Sequence, residues 1–225
     1  MTSNPCLYIV ATSIGNDLDF TFRSISTIKN VDIIIGEERS TTERVLKKLR
    51  VLNKEILLLN EHNEKLEAVQ ILNYIVENKF SAALISEAGT PCIADPGAVL
   101  VNLCYEHNIS VIPIPGVSSI IAALMVSGLM LGAFKYLGFL PANKGERCKH
   151  LQNIKHEKIP IVILDTPYRR NMLLNDIVTI LGNQKQIVFA YKLTQPEELI
   201  IKSTAQTILK KTSTLPKGEF VIIIN

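Results

Sequence analysis

The stretch "LISEAGTPCIADPG", Leu84–Gly97, decides how this chain is read. Its apolar opening, Ala82–Ile85, has the length and composition of a buried strand. That run breaks into a segment carrying Glu87, Gly89, Pro91, Asp95, Pro96 and Gly97, after which "AVLVNLC" resumes with helical spacing. Packed elements are usually joined by short loops, and long polar connections tend to carry function. So elaborate a loop is expected to form one wall of a ligand site.

Outward from this point the same alternation recurs. Candidate strands are "LYIVA" (7–11), "VDIII" (31–35), "EILLL" (55–59), "AALIS" (82–86) and "SVIPI" (110–114), with candidate helices at about 20–29, 40–50, 64–78 and 96–107. Strands alternating with amphipathic stretches predict βα units and a mostly parallel sheet. Asp95 followed by Pro96 predicts a cap and a first helical residue, and Val99, Leu100 and Leu103 give that helix an apolar stripe. The segments that follow the strands, "TSIGND", "GEERST", "NEHNE", "EAGTPCIADPG" and "PGVSS", are all rich in Gly, Pro, Ser, Thr, Asn or carboxylates. Ligands of parallel α/β sheets bind beyond the carboxyl ends of the strands. The first half therefore reads as a sheet with one loaded edge.

The pattern changes after "PGVSS". A helix from about Ser119 to Leu129 precedes "KYLGFLP", and further strands are expected at 159–164, 186–193, 198–203 and 219–224, with helices near 145–155, 169–181 and 204–211. The predicted fold class is α/β, as two α/β domains, residues 1–114 and 115–225, with a cleft between them of the kind that takes ligands.

Composition narrows the function. The chain has 225 residues, 47% of them hydrophobic, enough to bury sizeable cores. The start, "MTSNPCLYIV", lacks a basic lead before a long apolar core, so no signal peptide is expected. Ile109–Phe134 contains no Asp, Glu, Lys or Arg, but Pro113, Pro115 and Gly116 interrupt it, which favours a buried strand, a tight loop and a buried helix over a membrane span. Cys6, Cys92, Cys104 and Cys148 show no close pairing and the four histidines are scattered, so neither a disulfide framework nor a metal site is expected. Residues 1–140 hold 11 Lys+Arg against 14 Asp+Glu, and residues 141–225 hold 13 against 7. A basic second half is able to approach a phosphate backbone. The sequence has no G-x-x-x-x-G-K-[ST] loop, no G-x-G-x-x-G after a strand and no G-x-S-x-G elbow.

"LYIVATSIGN", "NEHNE", "LISEAGTPCIADPG", "VIPIPGVSS", "SGL" with "GFLP", "LDTPYRR", "KLTQPEE" and "KGEFVIII" follow one another in an order and spacing that resembles the tetrapyrrole-methylase-fold family of S-adenosylmethionine-dependent methyltransferases. Within it the likeness is greatest to members that methylate a ribose 2′-hydroxyl of a cytidine in small-subunit rRNA. The resemblance implies a cytoplasmic homodimer that binds S-adenosyl-L-methionine between its domains and acts on rRNA or the small ribosomal subunit. It implies that Gly89, Gly97 and Gly116 let backbone approach the cofactor, beside Ile14, Thr90, Ile93, Ser119 and Ile120. Leu164 and Ala190, at strand ends of the second domain, match further cofactor contacts.

Methyl transfer from a sulfonium to a hydroxyl needs positioning and placed charge, with no metal and no covalent enzyme intermediate. A ribose hydroxyl is a poor nucleophile, so a base or cation near its oxygen helps. Candidates in the motif segments are Glu38, His62, Glu64, Arg169, Lys192 and Glu198. Arg169 stands out, because "TPYR" resembles the family's Pro-x-Arg turn and guanidinium suits phosphate.

Four features depart from the family pattern. Ser13 stands where proline is usual, Glu37-Glu38-Arg39-Ser40 replaces Glu-Asp-Thr-Arg, Lys192 replaces a glutamate, and the sequence ends at "KGEFVIIIN" where rRNA-methylating members run on through a further C-terminal segment. Two alternatives stay open on the residues alone: a methyltransferase of the same fold acting on a tetrapyrrole or other small molecule, and a catalytically inactive RNA-binding assembly factor.

Overall fold

The computed structural model describes residues 5–225. Residues 1–4, which begin the segment read for a leader, lie outside the described residues. Two compact units divide at Ser118/Ser119.

The first unit runs β1 (Cys6–Val10), α1 (Phe22–Asn30), β2 (Ile33–Gly36), α2 (Arg39–Lys48), β3 (Glu55–Leu58), α3 (Glu64–Asn78), β4 (Ser81–Ile85), α4 (Ala98–Glu106) and β5 (Ser110–Ile114). All its strands are parallel, in the order β3-β2-β4-β1-β5. Helices cover both faces, which is why the inner strands are apolar along their whole length. Leu7, Ile33, Ile35, Ala82 and Leu84 pack with Ile71, Ile75, Leu100 and Cys104 of α3 and α4. Val10, Ile34, Ala83 and Ile85 pack on the opposite face with Ile28, Val45 and Leu46 of α1 and α2. With β1 between β4 and β5, the loops that follow these three strands are neighbours.

One local expectation is overturned here. Helix α4 begins at Ala98, with Gly97 at the N-cap, and not at Pro96 behind an Asp95 cap. The cap comes from elsewhere: Glu64, the first residue of α3, accepts from Gly97 N at 2.7 Å and from Val99 N at 3.1 Å. A carboxylate reaching in from another helix satisfies the orphan donors and meets the positive end of the helix dipole.

The second unit comprises α5 (Ser119–Met125), β6 (Lys135–Phe139), α6 (Lys144–Asn153), β7 (Ile161–Asp165), α7 (Arg170–Leu181), β8 (Gln186–Tyr191), β9 (Leu199–Thr204), α8 (Ala205–Thr212) and β10 (Phe220–Ile224). Its sheet, ordered β6-β7-β10-β8-β9, is mixed: β6 and β7 are parallel, whereas β10 runs antiparallel to both β7 and β8, and β9 antiparallel to β8. Apolar runs announce a strand but not its direction, so "EFVIII" gave no sign that the last strand inserts at the centre. Phe189, Tyr191, Phe220 and Ile222 form the core with Leu151, Leu173, Ile177 and Ile208 from α6, α7 and α8. Helix α5 stops at Met125, short of the expected Leu129. Ser127 ends it, donating through Oγ to Leu124 O at 2.8 Å and accepting from Leu129 N at 3.2 Å.

The charge-free stretch 109–134 thus divides into β5, a loop, α5 and an exposed segment. Among the described residues no helix is long and apolar enough to cross a membrane.

Candidate functional site

At the carboxyl edge of the first sheet, the loops after β1, β4 and β5 are tied together by buried and half-buried hydroxyls. Thr12 N donates to Gly89 O at 2.8 Å and Gly89 N returns a bond to Thr12 Oγ1 at 3.1 Å. Thr12 Oγ1 donates to Ser86 O at 3.2 Å, and Ser86 Oγ donates to Gly89 O at 2.8 Å. Thr90 Oγ1 donates to Val117 O at 3.0 Å, joining the third loop. Neither Thr12 nor Ser86 was singled out from sequence, although both are hydroxyl residues placed immediately beyond apolar strands, where a buried network would need them.

Ile14, Gly89, Thr90 and Gly116 therefore come together. Gly89 has φ +89°, a region that suits glycine, and a Cβ there would lie 3.2 Å from Ile14 Cγ2. A Cβ on Gly116 would meet Ala11 Cβ at 2.8 Å. Ile93 stands in the same β4 loop with 46% of its surface exposed. The Thr90 proton is committed to Val117, so this hydroxyl is left to act as an acceptor.

Carboxylates crowd this edge. Burial, with Glu37 and Glu87 nearby, pushes Asp95 up to about 6. Burial raises Glu37 as well, with Glu87, Glu61 and Glu38 adding like charge. Cys92, in a left-handed conformation, is pushed up to about 11 by burial and by the Asp95 and Glu64 carboxylates, so its thiol stays protonated and unreactive. Of the proposed acid–base groups here, Glu38 is exposed and its carboxylate has no hydrogen bond or ion pair among the described residues. His62 is exposed, with Nε2 3.5 Å from Glu61 Oε1. Glu64, expected as an acid–base candidate, has one carboxylate oxygen bound to the α4 N-terminus.

In the second unit Leu164 and Ala190 are brought together on either side of Val221, which pairs with both across the sheet. Ser119 and Ile120 open α5, Ile120 being buried. Arg169, expected to face phosphate, is turned inward: Nη2 donates to Leu140 O at 2.5 Å and Pro141 O at 3.1 Å, and Nε lies 3.1 Å from Asp165 Oδ1. Burial raises the Asp165 carboxyl against the opposing pull of Thr166 N, Arg169 and Arg147. Lys192 has φ +47° and lies 3.7 Å from Glu197 Oε2, with its Nζ 5.8 Å from the Tyr191 ring. Glu198 accepts from Thr194 N at 2.7 Å, closing the β8–β9 turn.

The first-unit edge has the chemistry a sulfonium-bearing nucleoside requires. Gly116 leaves its backbone exposed, Ile14 and Ile93 offer apolar cover, and the crowded carboxylates give a negative field for a cation. Among the described residues no group of three or more His, Cys, Asp or Glu is placed to hold a metal ion.

The family model for tetrapyrrole (corrin/porphyrin) methylases matches residues 6–209. The chain is 41% identical over 222 residues to ribosomal RNA small subunit methyltransferase I of Buchnera aphidicola subsp. Baizongia pistaciae, covering 97% of this chain and 75% of that protein. It is 37% identical over 219 residues to the protein of the same name from Synechocystis sp., covering 97% and 78%. The fold superposes on the crystal structure of a cobalamin biosynthetic enzyme, cobalt precorrin-4 methyltransferase, with a TM-score of 0.68 and 16% identity over 100% of this chain and 96% of that one. With the matched residues running from β1 into α8 and taking in every loop of the loaded edge, the chain belongs to the tetrapyrrole methylase family of methyltransferases.

Proposed function

We propose that the protein transfers the methyl group of S-adenosylmethionine to the 2′-hydroxyl of a cytidine ribose in small-subunit rRNA. The observation that carries this reading is the likeness, over 97% of the chain, to relatives named as small-subunit rRNA methyltransferases. When bound, S-adenosylmethionine supplies an electrophilic methyl group. The chain's own part is to hold donor and acceptor in line and to place charge. Ile14, Gly89, Thr90, Ile93 and Gly116 of the first unit, and Ser119, Ile120, Leu164 and Ala190 of the second, are the proposed cofactor contacts. Glu38, with its carboxylate free of internal bonds, is the proposed base for the hydroxyl proton, and His62 the second candidate.

An rRNA substrate puts the reaction in the cytoplasm. Homodimerisation is proposed on the exposed Met125, Val126, Met130, Leu131 and Phe134, which sit in a charge-free stretch of a kind that usually marks an interface. Sedimentation velocity checks it; a monomer at high micromolar concentration removes the dimer.

The test of function is transfer of labelled methyl to naked small-subunit rRNA and to assembled subunits. Label that renders one linkage resistant to alkali supports the reading, since 2′-O-methylation removes the attacking hydroxyl. Absent transfer with intact S-adenosylhomocysteine binding overturns it in favour of an inactive assembly factor. Failure to bind S-adenosylhomocysteine at millimolar concentration removes the donor assignment.

A further inference from the structure

At the edge of the second sheet formed by the end of β7 and the start of β10, an aromatic ring stands in solvent with a cation over it. Tyr168 is 76% exposed, and Lys217 Nζ lies 4.1 Å from the centroid of its ring. Most of the residue is left open to solvent, within reach of a planar partner.

The surroundings are built to hold it. Tyr168 occupies the turn Thr166–Arg169, closed by Arg169 N donating to Thr166 O at 3.0 Å. On one side Arg169 fastens that turn to the carbonyls of Leu140 and Pro141. On the other, Arg170 uses both ends of its fork, Nη1 to Pro216 O at 2.8 Å and Nη2 to Leu215 O at 2.6 Å. Tyr191 OH donates to the same Pro216 carbonyl at 3.0 Å. These bonds draw the loop before β10 against the turn after β7 and so bring Lys217 over Tyr168. The turn that carries the ring is thus fastened on both sides, which lowers the backbone ordering that binding would cost.

We infer that Tyr168 and Lys217 form a docking point for single-stranded RNA, the ring stacking on a nucleobase and the ammonium meeting the adjoining phosphate. The assignment rests on the rRNA reading above and names residues through which that acceptor would be gripped. Aromatic rings with neighbouring cations are how single strands are held without sequence preference. The second half of the chain, with 13 Lys+Arg against 7 Asp+Glu after residue 140, gives a field of the right sign. Arg169 and Arg170, both bound to carbonyls, act as positioning residues for the platform.

The test is fluorescence anisotropy with a labelled oligoadenylate of about twelve nucleotides and with an abasic strand of equal length, across a salt series. Tyr168→Ala should weaken oligoadenylate binding by about fivefold to a hundredfold, Tyr168→Phe by less than about twofold, and neither should change affinity for the abasic strand appreciably. Lys217→Gln should weaken both strands and lower the slope of log K against log salt by about 0.7. S-adenosylhomocysteine binding should stay at the wild-type value in every variant, which also reports that they fold. Oligoadenylate affinity of Tyr168→Ala within twofold of wild type overturns the inference, as it would if the ring served a protein partner; so does wild-type protein that binds neither strand at low salt. Methyl transfer to assembled subunits by the wild-type protein is scored separately, so loss of the docking point and loss of the proposed function are told apart.

Discussion

Thr12 and Gly89 bond to each other twice, once through Thr12 N to Gly89 O at 2.8 Å and once through Gly89 N to Thr12 Oγ1 at 3.1 Å. The pair welds the loop after β1 to the loop after β4, and the hydroxyl goes on to Ser86 O. Thr12→Val keeps the shape and removes that hydroxyl, leaving two buried backbone groups short of a partner. The expected cost is about 1–3 kcal/mol in urea unfolding, with at least tenfold weaker S-adenosylhomocysteine binding by calorimetry, whereas Thr12→Ser retains both. A valine variant with wild-type affinity would show that the weld does not shape the cofactor site.

Gly116 touches the same structure from the third loop. Because an added Cβ would lie 2.8 Å from Ala11 Cβ, Gly116→Ala must push the β5 loop off β1. Overpacking of this kind costs about 1–3 kcal/mol, and the displaced loop should weaken cofactor binding. Ala11→Gly removes the opposing methyl, so the double variant should regain much of the loss despite the extra glycine. Additive losses in the double-mutant cycle would mean that the contact is not the cause.

The carboxylate crowd at the first-unit edge makes a pH prediction. Asp95, pushed up to about 6 by burial and by Glu37 and Glu87, binds a proton more readily folded than unfolded. The stability this supplies is complete below about 4, the unfolded carboxyl range, and is lost as pH rises through about 6. Asp95→Asn should therefore stabilise the protein at pH 7.5 by about 1 kcal/mol, a figure reduced for solvent screening, and have little effect at pH 4. Urea midpoints at the two pH values check it; equal shifts at both would reject the electrostatic origin.

These elements differ in how far the chain announced them. Every α-helix and strand of the first unit lies within a few residues of its expected place, because helices on both faces force long apolar strands that alternate with amphipathic segments. The second sheet's direction was hidden, since "EFVIII" is equally apolar whichever way it runs. Glycines of the loaded edge were legible as glycines. The use of Glu64 as a cap for a helix more than thirty residues away was not, because local sequence offered Asp95 for the same task. Arg169 was legible as an arginine in a tight turn, but only tertiary structure shows its fork closed on Leu140 and Pro141.

The buried pair of Arg147 and Asp176 joins α6 to α7 in the second unit. Arg147 is 0% exposed, donates through Nε to Asp176 Oδ2 at 2.7 Å, and reaches Pro141 O at 3.1 Å and Ala142 O at 2.7 Å through Nη1. Its Nη2 is buried with no hydrogen bond, so the pair does not recover all that desolvation costs. Arg147→Met strands a buried aspartate and should lose about 3–5 kcal/mol; adding Asp176→Leu removes the stranded charge and should restore most of it. The recovery should be incomplete, because the Ala142 carbonyl loses its donor and Pro141 O keeps only the one from Arg169. Urea unfolding at constant m-value measures the cycle, and the single-variant loss should change little between low and high salt, since water and ions do not reach the pair. A double variant as unstable as Arg147→Met would show that the arginine's bonds to the loop before α6, and not its charge partner on α7, carry the stability.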